Sequence, residues 1–290
     1  MTKIINGIID IIDLYDVFII DQWGVMHDGN YGYNHAIKLI DKLIEEKKKL
    51  IIISNSSKRK ESSVDRLKSL GFNKKDFLEV MTSGEMIWQE LYHSISNYEI
   101  QQKNCFHIYD DSKEDGLNFR IGLKRIKFVS NIKDSNFILA CTPFKNTEPI
   151  DYIPILKEAV ELNLIMFCAN PDFVTIEKNN NKNNFVMGTI ANLYENMGGK
   201  VIILGKPSKK IYLESLKKIK NLDISKIVAI GDSLDHDVLG AANFGIDSVL
   251  ISSGIHSALF KKGLQIGLNN IMNSNKWNVN PTFVCSNFSA

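Results

Sequence analysis

The feature that most limits what this chain can fold into is the run Val17-Phe18-Ile19-Ile20, which holds no polar residue and is closed abruptly by Asp21-Gln22-Trp23-Gly24. A strand that reads as continuous apolar sequence must be covered on both faces, as happens in parallel sheets with helices on either side. Such a strand delivers the residue after it to the carboxyl edge of the sheet, where open α/β folds bind their ligands. Asp21 is therefore a nucleophile, a metal ligand, or only the cap of the turn that follows.

The sequence around this strand follows the same logic. Ile8, Ile9, Ile11, Ile12 and Leu14 predict a short amphipathic helix before it, and Ala36, Leu39, Ile40, Leu43 and Ile44 keep the i, i+3, i+4 spacing of a helix after it. A second buried strand, Leu50-Ile51-Ile52-Ile53, ends in Ser54-Asn55-Ser56-Ser57. Strand, helix and strand at this spacing form a βαβ unit, whose right-handed crossover brings both strand ends to one edge. Ser54 is thus expected near Asp21. A helix over about 62–70, stopped by Gly71, leads to a strand around Val80-Met81-Thr82.

From about Met86 to Met197 the chain carries its own αβ series: strands at Cys105 to Tyr109, Phe137 to Cys141 and Leu164 to Cys168, and a helix over 152–162. These are enough elements to bury a separate core, which predicts an inserted domain. Within it, the polar tract 177–184 reads as an exposed loop. The buried-strand texture returns with Val201-Ile202-Ile203-Leu204 before Gly205-Lys206-Pro207. A helix over 209–220 and the strand Ile227-Val228-Ala229-Ile230 follow, the strand ending in Gly231-Asp232. A helix stopped by Gly245, a strand at Ser248 to Ile251 and an edge strand at Thr282 to Cys285 complete the chain. The expected fold is α/β: a doubly wound parallel-sheet core built from residues 1–85 and 198–290, with an inserted α/β domain at 86–197.

Composition removes several classes of function. Lys plus Arg is 35 against 33 for Asp plus Glu, a formal net charge of +2, which supplies no electrostatic argument for a nucleic-acid partner. The charge run from Lys42 to Lys49 keeps helical spacing in its apolar residues and reads as a solvated helix face. Cys105, Cys141, Cys168 and Cys285 share no CxxC spacing and lie in or beside apolar stretches, as reduced core thiols of a cytoplasmic protein would. Asp10, Asp13 and Asp16 interrupt the isoleucine-rich start, and no apolar run nears the roughly 18 residues of a membrane span, so neither a signal peptide nor a membrane association is expected.

Four strands are thus read as ending in polar residues on one edge, at Asp21, Ser54, Lys206 and Asp232, with Asp237 five residues beyond the last. These are the types that phosphoryl transfer from an anionic monoester requires: an attacking carboxylate, a second carboxylate for Mg²⁺, and a lysine and hydroxyl for the phosphoryl oxygens. Each also has a plain structural reading, Gly-Lys-Pro as a turn and Ser-Asn-Ser-Ser or Gly-Asp-Ser as helix N-caps. Their succession on consecutive strand ends favours the functional one. His236, between two aspartates, is not expected to bind metal with them, because adjacent helix positions do not converge.

In these motifs the chain resembles the haloacid dehalogenase superfamily, and within it class IIA, whose members carry a C2-type cap and include p-nitrophenyl-phosphatase and nucleotidase-like enzymes. Asp21-Gln22-Trp23-Gly24-Val25 is similar to the first motif, Ser54-Asn55 to the second, Lys206 in Gly-Lys-Pro to the third, and Gly231-Asp232 with Asp237 to the fourth. The insertion falls between the second and third motifs, where class IIA places its cap, and Asn170-Pro171-Asp172 looks like that cap's signature. The resemblance implies that Asp21 forms an aspartyl-phosphate and ligates Mg²⁺ together with Asp232 and the backbone carbonyl of Trp23, with Asp237 at the metal site supporting the metal's waters. Ser54, Asn55 and Lys206 would hold the phosphoryl group, and Asn170 and Asp172 would face a small phosphorylated metabolite from the cap. Relatives with this cap often form homodimers.

One position departs from the pattern. The superfamily's phosphatases carry a second aspartate two residues beyond the nucleophile, where it protonates the leaving oxygen and later activates water; here Trp23 stands there. Indole donates a hydrogen bond but is no acid or base near neutral pH, and losing such a group costs about 10²- to 10⁴-fold in rate. Other members carry tyrosine, alanine or threonine at this place, and a subgroup of class IIA looks similar to this chain in having tryptophan. His27 and Asp28 are candidates for a substitute acid/base group, with turn residues as the alternative. The expectation is a Mg²⁺-dependent phosphatase or phosphotransferase, against a catalytically weak or inactive binding or regulatory protein; carbon-halogen cleavage through an aspartyl ester is a third reading.

Overall fold

A computed structural model of the chain describes residues 2–97, 103–174, 185–273 and 278–290; the polar tract expected as a loop at 177–184 lies outside them. In chain order the strands are β1 (Lys3–Ile4), β2 (Val17–Ile20), β3 (Lys49–Ser54), β4 (Phe77–Thr82), β5 (Lys103–Ile108), β6 (Ile126–Val129), β7 (Phe137–Ala140), β8 (Ile165–Cys168), β9 (Lys200–Ile203), β10 (Ile227–Gly231), β11 (Asp247–Ile251) and β12 (Phe283–Cys285). The helices used below are α1 (Asn34–Glu45), α2 (Lys60–Ser69), α3 (Ser83–Asn97) and α4 (Met187–Asn196).

The chain divides into two compact units, one of residues 1–54, 61–81 and 206–290 and the other of residues 55–60 and 82–205. The first is built on a seven-stranded sheet of order β1-β12-β11-β10-β2-β3-β4. β10 runs parallel to both β2 and β11, and β2 parallel to β3. Leaving β2, the chain winds outward through β3 and β4; returning at β10, it winds the other way through β11 and β12. The direction therefore reverses between β2 and β10, and such a reversal opens a crevice at the carboxyl ends of the strands. Every residue of β2 and β10 is buried, as continuous apolar runs require. α1 turns Ala36, Leu39, Ile40 and Leu43 inward, as its spacing predicts, while Ile44 at the end of the helix stays exposed.

The second unit holds a parallel five-stranded sheet, β6-β5-β7-β8-β9. Its core includes Ile138, Tyr152, Leu156, Met166, Ile190 and Tyr194, and the buried Tyr194 hydroxyl donates to the Leu164 carbonyl at 2.6 Å.

Two expectations need correction. Val201 to Ile203, assigned by sequence to the core sheet, belongs to β9, which pairs with β8 in the second unit. Its residues are only half-buried, and a short apolar run does not say which sheet it will join. Lys206 therefore follows a strand of the second unit and is not carried on a core strand of its own. Thr282 to Cys285 is not an edge either: β1 pairs with β12 on its outer side, and a two-residue strand is too short to show a period. The segment 8–14 is helical as expected, but as a 3₁₀ helix. No helix among the described residues is long and apolar enough to cross a membrane.

Candidate active site

The site begins where the sheet reverses. Ile20 lies opposite Ile230, and the Asp21 N–H donates to the Ile230 carbonyl at 2.9 Å, so the residue after β2 sits beside the end of β10. From there Gly231-Asp232-Ser233 leads into a single π-helical turn, Leu234–Val238, which folds Asp237 back toward the strand end. Asp237 Oδ2 accepts from the Ser233 N–H at 3.1 Å. A Cβ on Gly231 would stand 2.0 Å from Asp237 Cγ, so only glycine lets this carboxylate close on the strand. Gly254 does the same for Asp232, whose Oδ2 also accepts from the Ile255 N–H at 2.8 Å. Isolated π turns occur often at functional sites, and this one carries Asp237.

One oxygen from each of Asp21, Asp232 and Asp237 lies within 4.8 Å of the others, and all three residues are buried. The buried Lys206 ammonium bridges two of them, at 2.5 Å from Asp21 Oδ1 and 2.7 Å from Asp237 Oδ1. Burial, and then the neighbouring Asp21 and Asp237, push the Asp232 carboxyl well above the ordinary carboxylate range. Three carboxylates against one ammonium leave a negative excess of two charges when all are ionised, which a divalent cation would balance. Clustered hard oxygen donors on a glycine-lined floor suit Mg²⁺. Ser54 closes β3, the strand paired with β2, and is buried.

The loop after Asp21 is packed from α2. Ser63 Oγ donates to Gln22 Oε1 at 3.2 Å, and Arg66, one helical turn on, donates to the Gly29 carbonyl while its guanidinium lies 5.2 Å over the Trp23 ring. Gly29 has φ +97°, and a Cβ there would fall 2.3 Å from Trp23 Cζ3. Trp23 thus packs against a glycine and a cation, with His27 edge-on at 5.0 Å. Asp28 Oδ1 accepts the N–H groups of Asn30 and Tyr31, at 2.8 and 2.9 Å, which is the turn alternative considered for it. His27 is 2% exposed, with Nδ1 accepting from the Gly29 N–H at 3.1 Å. Its pKa falls from 6.5 to about 4, chiefly through burial and then through Arg66, so it is a neutral imidazole near pH 7.

That shift has a sign. A histidine with a depressed folded pKa adds stability above its unfolded value and loses it as pH falls, here between about 6.5 and 4. The loss is on the order of 3 kcal/mol. His27→Asn keeps an acceptor near Nδ1 without a titrating ring. The expected result is a shallower fall in urea midpoint from pH 7 to pH 4 than in the parent.

The other predicted residues meet within the second unit. Asn55 Nδ2 donates to Asp172 Oδ1 at 2.8 Å, and the Asp172 N–H donates to Asn170 Oδ1 at 3.2 Å. The turn at 170–172 is backed by α4, where the Gly188 N–H donates to the Asp172 carbonyl at 2.9 Å. Ser83, at the start of α3, was missed by sequence. It is fully buried, its Oγ has no hydrogen-bond partner among the described residues, and a Cβ on Gly205 would meet both Ser83 Oγ and Asn55 Oδ1, at 2.5 and 2.6 Å. The only signal for it was its place after an apolar strand. His236 stays out of the carboxylate cluster, its Nδ1 3.1 Å from Ser233 Oγ.

Residues 18–118 match the family described as haloacid dehalogenase-like hydrolase, and residues 203–290 match a second family of hydrolases of the same kind. Among solved structures, a haloacid dehalogenase-like hydrolase from Brucella suis is 25% identical, with a TM-score of 0.80 over 97% of this chain and 98% of that one. A structure described as a possible sugar phosphatase, from Cytophaga hutchinsonii, is 18% identical, with a TM-score of 0.76 over 100% and 99%. A p-nitrophenyl phosphatase from Archaeoglobus fulgidus is 20% identical, with a TM-score of 0.66 over 94% and 97%. No curated protein matches the chain by sequence.

Proposed function

The chain belongs to the haloacid dehalogenase superfamily, and from that premise we propose that it is a Mg²⁺-dependent phosphatase or phosphotransferase of a small phosphorylated metabolite, acting through Asp21. The observation that carries this is the Lys206 ammonium bonded to both Asp21 and Asp237, with Asp232 completing a triad of converging carboxylates. The insertion between Ser54 and Lys206, at the position of a class IIA cap, supports that class.

In this reading Asp21 attacks phosphorus in line and becomes an aspartyl-phosphate, which water then cleaves to return the carboxylate. Lys206 holds Asp21 in place and neutralises the phosphoryl oxygens, and Ser54 with Asn55 orients them. Asp21, Asp232 and the Trp23 carbonyl would hold Mg²⁺, with Asp237 supporting its waters, and the ion would offset the charge of phosphate against carboxylate. Asn170 and Asp172 are proposed as substrate-side residues of the cap.

The test is phosphate release from p-nitrophenyl phosphate and a panel of metabolite monoesters, with Mg²⁺ and with chelator. Expected is release with Mg²⁺, lost in chelator and regained on adding the metal back. Trp23 favours a second reading, a pocket kept for binding or regulation. That reading predicts no release from any monoester, together with a Mg²⁺-dependent rise in melting temperature on adding beryllofluoride.

A further inference from the structure

We propose that this site selects phosphoryl donors whose leaving group departs without taking a proton, namely acyl phosphates, aryl and enol phosphates and phosphoanhydrides, over phosphate esters of ordinary alcohols. The inference rests on the phosphatase reading and narrows its substrate class. In the first step a bond forms between Asp21 Oδ and phosphorus, the bond from phosphorus to the leaving oxygen breaks, and the electron pair departs on that oxygen. A carboxylate leaves with a conjugate-acid pKa of about 4 and a phenolate with about 10. An alkoxide, nearer the roughly 15.7 of water, must be protonated as it goes.

The segment after the nucleophile holds no group placed to give that proton. Trp23 carries only an indole N–H, and its ring is packed against both Gly29 and the Arg66 guanidinium. Asp28 is committed to two turn amides. His27 is enclosed, with Nδ1 taken by the Gly29 N–H and its ring against Trp23. The groups at the strand ends already have partners: Lys206 donates to Asp21 and Asp237, and Asp232 accepts from the Ile255 amide. In the second step water attacks phosphorus, the bond to Asp21 Oδ breaks with its pair returning to the carboxylate, and the water's proton stays with the phosphate product or passes to solvent. Neither step then requires an acid at position 23, provided the first leaving group is stable as an anion.

The experiment is kcat/KM with Mg²⁺ for acetyl phosphate, a series of aryl phosphates of graded phenol acidity, and glycerol phosphate, plotted against leaving-group pKa. The expected plot falls steeply, with glycerol phosphate about 10²- to 10⁴-fold below p-nitrophenyl phosphate. Trp23→Asp, checked for folding by circular dichroism, is expected to raise glycerol phosphate relative to p-nitrophenyl phosphate by about 10²-fold or more. A wild-type plot with glycerol phosphate within about tenfold of p-nitrophenyl phosphate overturns this inference and leaves the phosphatase reading standing. No release from any donor sinks both. The wild-type series decides the question even where the variant fails to fold.

Discussion

Asp21→Asn is expected to lower Mg²⁺-dependent phosphate release by about 10⁴-fold or more, the scale seen when a covalent nucleophile is removed. An amide has nearly the carboxylate's shape, so the fold should persist, but the neutral amide lacks the anionic oxygen that attacks phosphorus. The substitution also removes one of three crowded carboxylates while leaving Lys206 paired with Asp237 at 2.7 Å. The metal-free variant should therefore melt no lower than the parent, which separates loss of chemistry from loss of structure. Phosphate release that survives in Asp21→Asn, measured beside a chelator control, means that Asp21 is not the nucleophile.

Lys206→Met is expected to produce the largest change in stability. It takes the Lys206 ammonium from Asp21 and Asp237 and leaves three buried carboxylates within 4.8 Å. Removing one member of a buried ion pair costs about 3–5 kcal/mol. The penalty depends on pH, with a sign set by Asp232, whose folded pKa is raised above 3.8. A group shifted in that direction contributes stability below its unfolded value and loses it as pH rises through its folded one. Metal-free Lys206→Met should therefore be closer to the parent near pH 5 than at pH 8. Saturating Mg²⁺ should recover part of the difference, about 2.7 kcal/mol at a hundredfold excess over Kd. Urea titrations at the two pH values check this; equal gaps from the parent at pH 5 and pH 8 would show that carboxylate repulsion is not what Lys206 relieves.

Much of the core was legible because its strands are buried on both faces. Ile19-Ile20-Asp21, Ile52-Ile53-Ser54 and Ile230-Gly231-Asp232 each show where an apolar run stops, and the residue at the stop is the one the sheet presents at its edge. Lys206 lies beside Asp21 and Asp237, but not at the end of a core-sheet strand as its sequence context suggested. It reaches Asp21 through the turn at Gly205-Lys206, although the strand before that turn belongs to the other sheet. The pairing of β9 is a long-range choice that half-buried valine and isoleucine do not express.

The sequence by itself determined the α/β class, the doubly wound core and the identity of the residues at its strand ends, because each follows from local apolar patterning and the crossover rule. Only the tertiary structure decided what surrounds them. Arg66 meets Trp23 and Gly29 from a separate helix, Gly254 and Ile255 seat Asp232 from beyond β11, and Asp172 meets Asn55 across more than a hundred residues, 117 in sequence. Those contacts join residues far apart in the chain and leave no period or spacing in the sequence, so they come into being only when the chain has folded.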